Sequence, residues 1–340
     1  MGLLVKKDMD NAKRYLRYRT FPALRPYFCL HHTQAASVCK VIFLLLTLFS
    51  ALACIGLWLP SPAFATEMDA MPQQTALKNK APALEWNITW RTAHKGIEYG
   101  TIEAEGSSSS VAVIRINPDY CDFSLHMASE QGTSLSLANW AKKEQFLVAI
   151  NASMYLPDKK TSIGHLRSPT HTNNPRIGKE LGAFFVSSPH NTPDASLLPR
   201  ATILEKTSSG LPDLHDLYVQ LEHYGICVQN YRLISKNGSI LWKEKQEIHS
   251  ITAIGEDTDG NIMFFMAKIP MTVATFARTL QNALPGLGSV MYVEGGSKAA
   301  MYLNTPEKEM LWHGLRDPWA IFTPEDNLLP NILGVKLRQN

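Results

Sequence analysis

Glu294-Gly295-Gly296 closes an apolar run, Val290-Met291-Tyr292-Val293, and a second short run of small and apolar residues follows as far as Leu303. A carboxylate at a strand exit can act as a nucleophile or a base. The two glycines let the backbone take φ > 0 and let a ligand approach closely. Asn151 ends another strand-like run and offers a fixed donor and acceptor pair. Gln229, Asn230 and Arg232 interrupt the otherwise apolar stretch Tyr224–Ile234, where buried polar groups cost free energy unless they bind something. His165 sits in a polar loop and can assist proton transfer. With only His171 nearby and no Cys or third His at ligand spacing, no metal site is expected, and no cofactor either. Each group also has a plain structural role open to it: a Gly-Gly hairpin with a solvated Glu, an Asn capping its own turn, histidines in water.

Several elements must position these residues. Glu85 to Trp90, Gly96 to Ala104, Val111 to Asn117 and Asp122 to Ala128 read as short strands of an antiparallel meander. A helix is expected over Thr133 to Lys143 with Ser134 as its cap, feeding a strand Gln145–Ile150 that ends at Asn151. Gly182–Ser187 is a further strand, and Ser188 to Gly210 reads as an insertion. Asn237-Gly238 and Asp257-Thr258-Asp259-Gly260 mark two hairpin turns; the aspartates lack EF-hand spacing, so they belong to a turn. Pro270–Leu284 has the clearest helical pattern, with Thr272 as cap and Val273, Phe276, Ala277, Leu280 and Leu284 on one face. A final strand runs through Leu328–Leu337. The fold class expected is α+β, a single domain with a mixed or largely antiparallel sheet and a few packed helices.

The 340 residues carry 33 basic and 30 acidic side chains, but Met1–Ala65 holds eight of the former and two of the latter. The remaining 25 basic and 28 acidic residues leave no nucleic-acid footprint. Basic residues up to Lys40, an uncharged apolar run Val41–Leu59 and Ala63-Phe64-Ala65 form the three parts of a secretory signal, with Thr66 as the new N-terminus. That run approaches the roughly 20 residues needed to cross a bilayer, so an uncleaved anchor is the alternative. Either way the rest is exported, periplasmic or extracellular, with membrane contact only through residues 41–59 if they are retained. The expected layout is a leader with signal or anchor over 1–65, a flexible tether over 66–83 and a folded domain over 84–340. Cys121 and Cys227 are the two thiols of the exported part, and either a disulfide or two separately buried thiols is open.

Three markers occur in order: Ile150-Asn151-Ala152-Ser153-Met154-Tyr155, Val228-Gln229-Asn230-Tyr231-Arg232 and Tyr292-Val293-Glu294-Gly295-Gly296. With Thr252-Ala253-Ile254-Gly255 leading to Asp259-Gly260, and with Pro330–Val335, they resemble the phosphodiester glycosidase family from about Gly96 to Val335. The chain departs from the family pattern at Glu294, where Asp is common, at Ile251, where Arg is frequent, and at Ser153, where Gly is usual. The resemblance implies an exported hydrolase of the family's bacterial branch, acting on a carbohydrate or glycan phosphodiester. Expelling a phosphate monoester demands less acid assistance than expelling an alcohol, so one carboxylate can suffice. Glu294 would attack or activate water at the anomeric carbon, with Asn151 and His165 assisting and Gly295 and Gly296 admitting the sugar. Arg232, then Lys268, would meet the phosphate charge, and Gln229 and Asn230 would bind sugar hydroxyls. Asp158 and Asp257 are the only candidates for a second acid. The departures keep open a glycan-binding module without turnover and, third, an anchored structural protein of the envelope.

Overall fold

Strands whose central members are buried on both faces build three main sheets, and every pairing among the described residues is antiparallel. A computed structural model describes residues 85–104, 106, 110–190, 192–193, 195–206, 211–315 and 328–339. All of them fall within one compact unit, Lys78–Asn340. The basic leader, the apolar run Val41–Leu59 and the tether lie outside the described residues. Among those described, no helix is long and apolar enough to cross a membrane.

The central sheet has eight strands, with Ile251–Asp257 lying between Ile262–Ala267 and Leu287–Gly295, and the short Arg232–Ile234 at one edge. A five-stranded sheet is built around Tyr224–Asn230, flanked by Ala183–Pro189 and Leu166–Arg167. Another five-stranded sheet holds Val148–Asn151 between Ala300–Asn304 and Asn331–Leu337. Ile114, Phe264 and Met291 of the central sheet share one buried cluster with Phe185 and Val228 of the Tyr224 sheet and Ile150 and Leu333 of the Asn151 sheet. One face of the central sheet thus packs on both smaller sheets. Its other face lies under the helix Val273–Ala283, whose Phe276, Ala277 and Leu280 meet Val113, Phe265 and Tyr292. Helix Leu137–Glu144 covers the outer face of the Asn151 sheet through Trp140 and Ala141. Leu217 and Leu221 of helix Leu211–Glu222 cover the Tyr224 sheet. The helices only cap sheet faces, so the fold is mostly β rather than the α+β class expected.

The later helix falls where the sequence placed it, the earlier one starts further on, and several strands enter sheets that the sequence did not indicate. Thr272 caps its helix by accepting from the Thr275 N–H, as expected. The earlier helix is capped by Ser136 instead of Ser134, because the Ser136 hydroxyl accepts from Asn139 N–H. Ala201–Glu205, inside the supposed insertion, is a paired strand. The run Tyr224–Ile234 divides at Tyr231 and contributes one strand to each of two sheets. Glu294-Gly295-Gly296 likewise is not a hairpin. The strand before it belongs to the central sheet and the strand after it, Ala300–Asn304, to the Asn151 sheet. Cys121 and Cys227 are free, buried thiols in different clusters, so the bridge left open is not formed.

Gly334 shows how tightly the Asn151 sheet is packed: a Cβ added there would lie 2.3 Å from the ring of fully buried Phe146. Gly334→Ala is therefore expected to destabilise the fold by about 1–3 kcal/mol, seen as a lower urea midpoint at unchanged slope.

Candidate active site

The Glu294 strand carries its carboxylate to the point where the chain leaves the central sheet. Its β-branched and aromatic residues pack alternately, Met291 and Val293 into the main core and Val290 and Tyr292 under the helix. Strict alternation would send Glu294 to the face of Tyr292. The register shifts between Ala253, which pairs with Tyr292, and Thr252, which pairs with Glu294, so the strand is bulged at Val293. A bulge of this kind re-aims the following side chain. It sets Glu294 opposite Thr252.

Thr252 connects two of the three sequence markers. Its hydroxyl lies 3.0 Å from Oδ1 of Asn151 and 3.3 Å from the carbonyl oxygen of Glu294, donating to these acceptors. Asn151 Oδ1 also accepts from the Ala300 N–H at 3.0 Å, which fixes the orientation of the amide. Asn151 is 2% exposed, and its Nδ2 has no partner among the protein atoms. A buried donor left unpaired marks a place for a ligand or water. The third marker joins through Asn230, whose Nδ2 donates to the carbonyl of Val293 at 2.8 Å while Oδ1 accepts from Tyr231 N–H. Asn151, Asn230 and Glu294, distant in sequence, therefore meet at one end of the central sheet.

Burial pushes the Glu294 carboxyl up to about 7, against the opposing pull of the Gly295 N–H, which donates to Oε1 at 3.0 Å, and of the Lys298 ammonium. The group is poised to exchange a proton near neutrality. Gly295 is extended, and a Cβ there would sit 2.3 Å from the Tyr292 hydroxyl and 2.8 Å from the His249 ring. Gly296 takes φ +65 and donates its N–H to the carbonyl of Ser250. These glycines serve the packing and the path of the chain.

The remaining expected site residues are placed elsewhere or are already engaged. Gln229 is fully buried, its Oε1 accepting from His165 N–H and Gly178 N–H and its Nε2 donating to the carbonyls of Gly178 and Leu181. It braces two loops. Along its strand Ile226 and Val228 face the main core and Cys227 the outer cluster, so Gln229 falls on the side away from Asn230. His165 runs beside Gln229, its pKa lowered first by burial and then by Arg167. Arg232 is level with Met291 and donates to Glu205 Oε2 at 3.0 Å. The pair lies in a cleft of about 910 Å³ that also takes in Glu256, Asp257 and Ser289. That cleft is at the opposite end of the sheet, about 17 Å along the strand from Glu294 to Ser289. Of the residues of the three markers Arg232 lines it, whereas Asn151, Asn230 and Glu294 do not. Lys268 is exposed, at the Glu294 end but two strands away. Asp158 is tied into its own turn by Lys160 N–H, Thr161 N–H and the Thr161 hydroxyl, and Asp257 belongs to the distant hairpin. Among the described residues no cluster of His, Cys, Asp or Glu could hold a metal ion.

A family model described as phosphodiester glycosidase matches residues 144–336, which include all three markers. The chain belongs to the phosphodiester glycosidase family. It is similar in structure to a hypothetical protein from Synechocystis, with 14% identity and a TM-score of 0.50 over 74% of this chain and 64% of that one, a likeness of fold alone. It also matches the catalytic domain of zebrafish N-acetylglucosamine-1-phosphodiester alpha-N-acetylglucosaminidase, auto-inhibited by its pro-peptide, with 14% identity and a TM-score of 0.48 over 76% and 85%. No curated protein matches the chain. In this family member the residues that sequence reasoning passed over are Thr252, His249 and Lys298. Thr252 lay within a quoted motif, but its apolar neighbours hid its role. His249 and Lys298 carried no signal, since each reaches the site only through the sheet crossover.

The folded-state pKa of Glu294, about 7, exceeds its ordinary 4.5, so between those values the folded chain binds the extra proton. Stability from this group is therefore present at low pH and lost as pH rises through about 7. Glu294→Gln, which cannot ionise but keeps an oxygen for the Gly295 N–H, is expected to be more stable than the parent by about 1–3 kcal/mol near pH 8. Urea titrations should show that advantage vanish near pH 4.

Proposed function

We propose that the chain is an exported hydrolase that cleaves a sugar-1-phosphodiester bond in an envelope or secreted glycan, with Glu294 as its catalytic carboxylate. The observation that carries this reading is the junction of Glu294, Thr252 and Asn151 inside the family-matched region, where Asn151 Nδ2 is unpaired and the Glu294 carboxyl is poised near 7. Ionised Glu294 takes a proton from a water whose oxygen attacks the anomeric carbon. The bond from that carbon to the phosphate oxygen breaks, and a phosphate monoester leaves with the electron pair. Asn151 Nδ2 donates to the water or to a sugar hydroxyl. Lys298, whose charge already acts on Glu294, replaces Arg232 as the cation facing the phosphodiester. Its ammonium also donates to the Leu328 carbonyl, which anchors it at the site. Asn230 positions the strand instead of touching sugar.

A second reading, a glycan-binding module without turnover, draws on Ile251. This residue is fully buried and pairs with Gly295 where the family often carries Arg. Glutamate's extra methylene and the missing guanidinium would leave binding intact and weaken catalysis.

The experiment is turnover of a panel of sugar-1-phosphodiesters by the purified full-length chain beside folded Glu294→Gln. Free sugar from the parent, and at least about a hundredfold less from the variant, is the expected result. Because attack and proton abstraction both need the ionised carboxylate, kcat/KM should rise with pH through about 7. A profile that falls through the same pH would make Glu294 a general acid. Inert protein that still binds glycans would leave the binding module.

A further inference from the structure

Tyr292 reaches the Glu294 turn with its hydroxyl, two further aromatic rings pack in series behind it, and the proposed reaction makes no use of them. Trp242 stacks on Tyr292 with ring centroids 5.0 Å apart and planes at 28°, and Tyr231 stands nearly perpendicular to Trp242 at 5.7 Å. The Trp242 indole N–H donates to the Arg232 carbonyl at 3.2 Å. Tyr292 lies beneath, 5% exposed, with its hydroxyl against Gly295. Trp242 itself remains partly exposed. One tyrosine ring thus separates a solvent-reaching indole from the backbone that follows Glu294.

We infer that Trp242 is the stacking surface of a pyranose subsite beside Glu294, an assignment that rests on the glycosidase reading of that carboxylate. The face of an indole carries negative charge density, and the axial C–H groups of a pyranose present a weakly positive, apolar patch to it. Such a platform binds best when it is rigid, since little rotamer freedom is then lost on binding. Trp242 is held by a stack, a perpendicular ring and an N–H bond, three restraints on a side chain that still meets solvent. A stacked sugar also needs hydrogen-bonding groups at its rim. The exposed segment 243–248 supplies Glu247, whose carboxylate is close enough to act on the Tyr292 hydroxyl. The segment returns through His249, whose ring packs against Gly295. Indole, polar rim and catalytic carboxylate therefore border the same turn. Because the surface reads ring shape and C–H faces rather than charge, it selects a pyranose with one unobstructed face, whatever the phosphate carries.

The test combines turnover with binding. With a sugar-1-phosphodiester that the parent cleaves, Trp242→Ala is expected to raise KM about tenfold while kcat changes less than threefold, with Trp242→Phe recovering much of the loss. Methyl α-pyranosides of gluco, manno and N-acetylglucosamine configuration are then titrated into Glu294→Gln. Saturable quenching of tryptophan fluorescence is expected, and it should be absent when Trp242→Phe is added to that background, although six other tryptophans remain. The binding arm needs no turnover, so an inert parent whose fluorescence still responds through Trp242 retires the glycosidase reading and keeps the subsite. If no glycoside produces quenching that depends on Trp242, the subsite falls even where turnover is normal. Should Trp242→Ala fail to fold, calorimetric affinity of the Trp242→Phe protein for the same glycosides decides: unchanged affinity overturns the assignment.

Discussion

The side-chain oxygen of Asn151 is the point on which the site depends. It accepts one hydrogen bond from the Thr252 hydroxyl in the central sheet and one from the Ala300 N–H in its own sheet. Those two donors stand on either side of the crossover through which the Glu294 strand leaves one sheet and enters the other. In a buried setting such bonds are strong electrostatically and costly to leave unmade. The junction holds the two sheets at a fixed separation, and because Thr252 also reaches the Glu294 carbonyl, it fixes the backbone that carries the carboxylate. Asn230 does the same for the third sheet through the Val293 carbonyl. The Asn230 amide and the Thr252 hydroxyl thus anchor consecutive peptide units immediately before the crossover.

The electrostatics of the site follow from this geometry. A carboxylate brought to a crossover between packed sheets loses water on most sides, which favours its neutral form and raises its pKa. The Gly295 N–H and Lys298 offset only part of that cost. The other polar concentration of the fold, the cleft with Arg232, Glu205 and Glu256, is organised differently. Arg232 is neutralised by Glu205, which also accepts from the Ser289 hydroxyl and the Lys236 N–H. Glu256 is held by the Thr202 hydroxyl and the Ile203 N–H, although burial raises its pKa. The carboxylates of that cleft, answered by neighbours in this way, brace the junction between the central and Tyr224 sheets, while Arg232 Nε and Asn151 Nδ2 are both buried donors without a protein partner.

What was legible in the sequence was local. The Thr272 cap and the apolar stripe of its helix, the Asp257–Gly260 turn and the terminal strand depend on residues a few positions apart, and their patterns carry over into structure. Sheet membership depends on partners dozens of residues away, and an apolar run does not say which sheet it enters. Hence Tyr224–Ile234 read as one strand, although it changes sheets at Tyr231. The same limit hid the ion pair of Arg232: its partner Glu205 sits on a strand within a segment that looked like an insertion. Gln229 and Asn230 looked alike as buried polar residues. Their adjacent positions on a strand send them to opposite faces, one to brace loops and the other to the Glu294 strand. The three markers nevertheless converge, because each lies at a strand end and those ends gather on one side of the fold.

The two glycines after Glu294 gain a different meaning from this arrangement. A Gly-Gly pair beside an acid invites the idea that the sugar approaches the backbone there. Yet the space a Cβ would need at Gly295 is filled by the Tyr292 hydroxyl and the His249 ring, and Gly296 is needed for its positive φ. The glycines let the chain turn sharply between sheets while aromatic groups close in behind it. Behind the turn Tyr292 stacks on Trp242, while Thr252 links the Glu294 carbonyl to Asn151. The side chain missing at Gly295 thus makes room for the protein's own Tyr292 hydroxyl and His249 ring, which close the turn on that side.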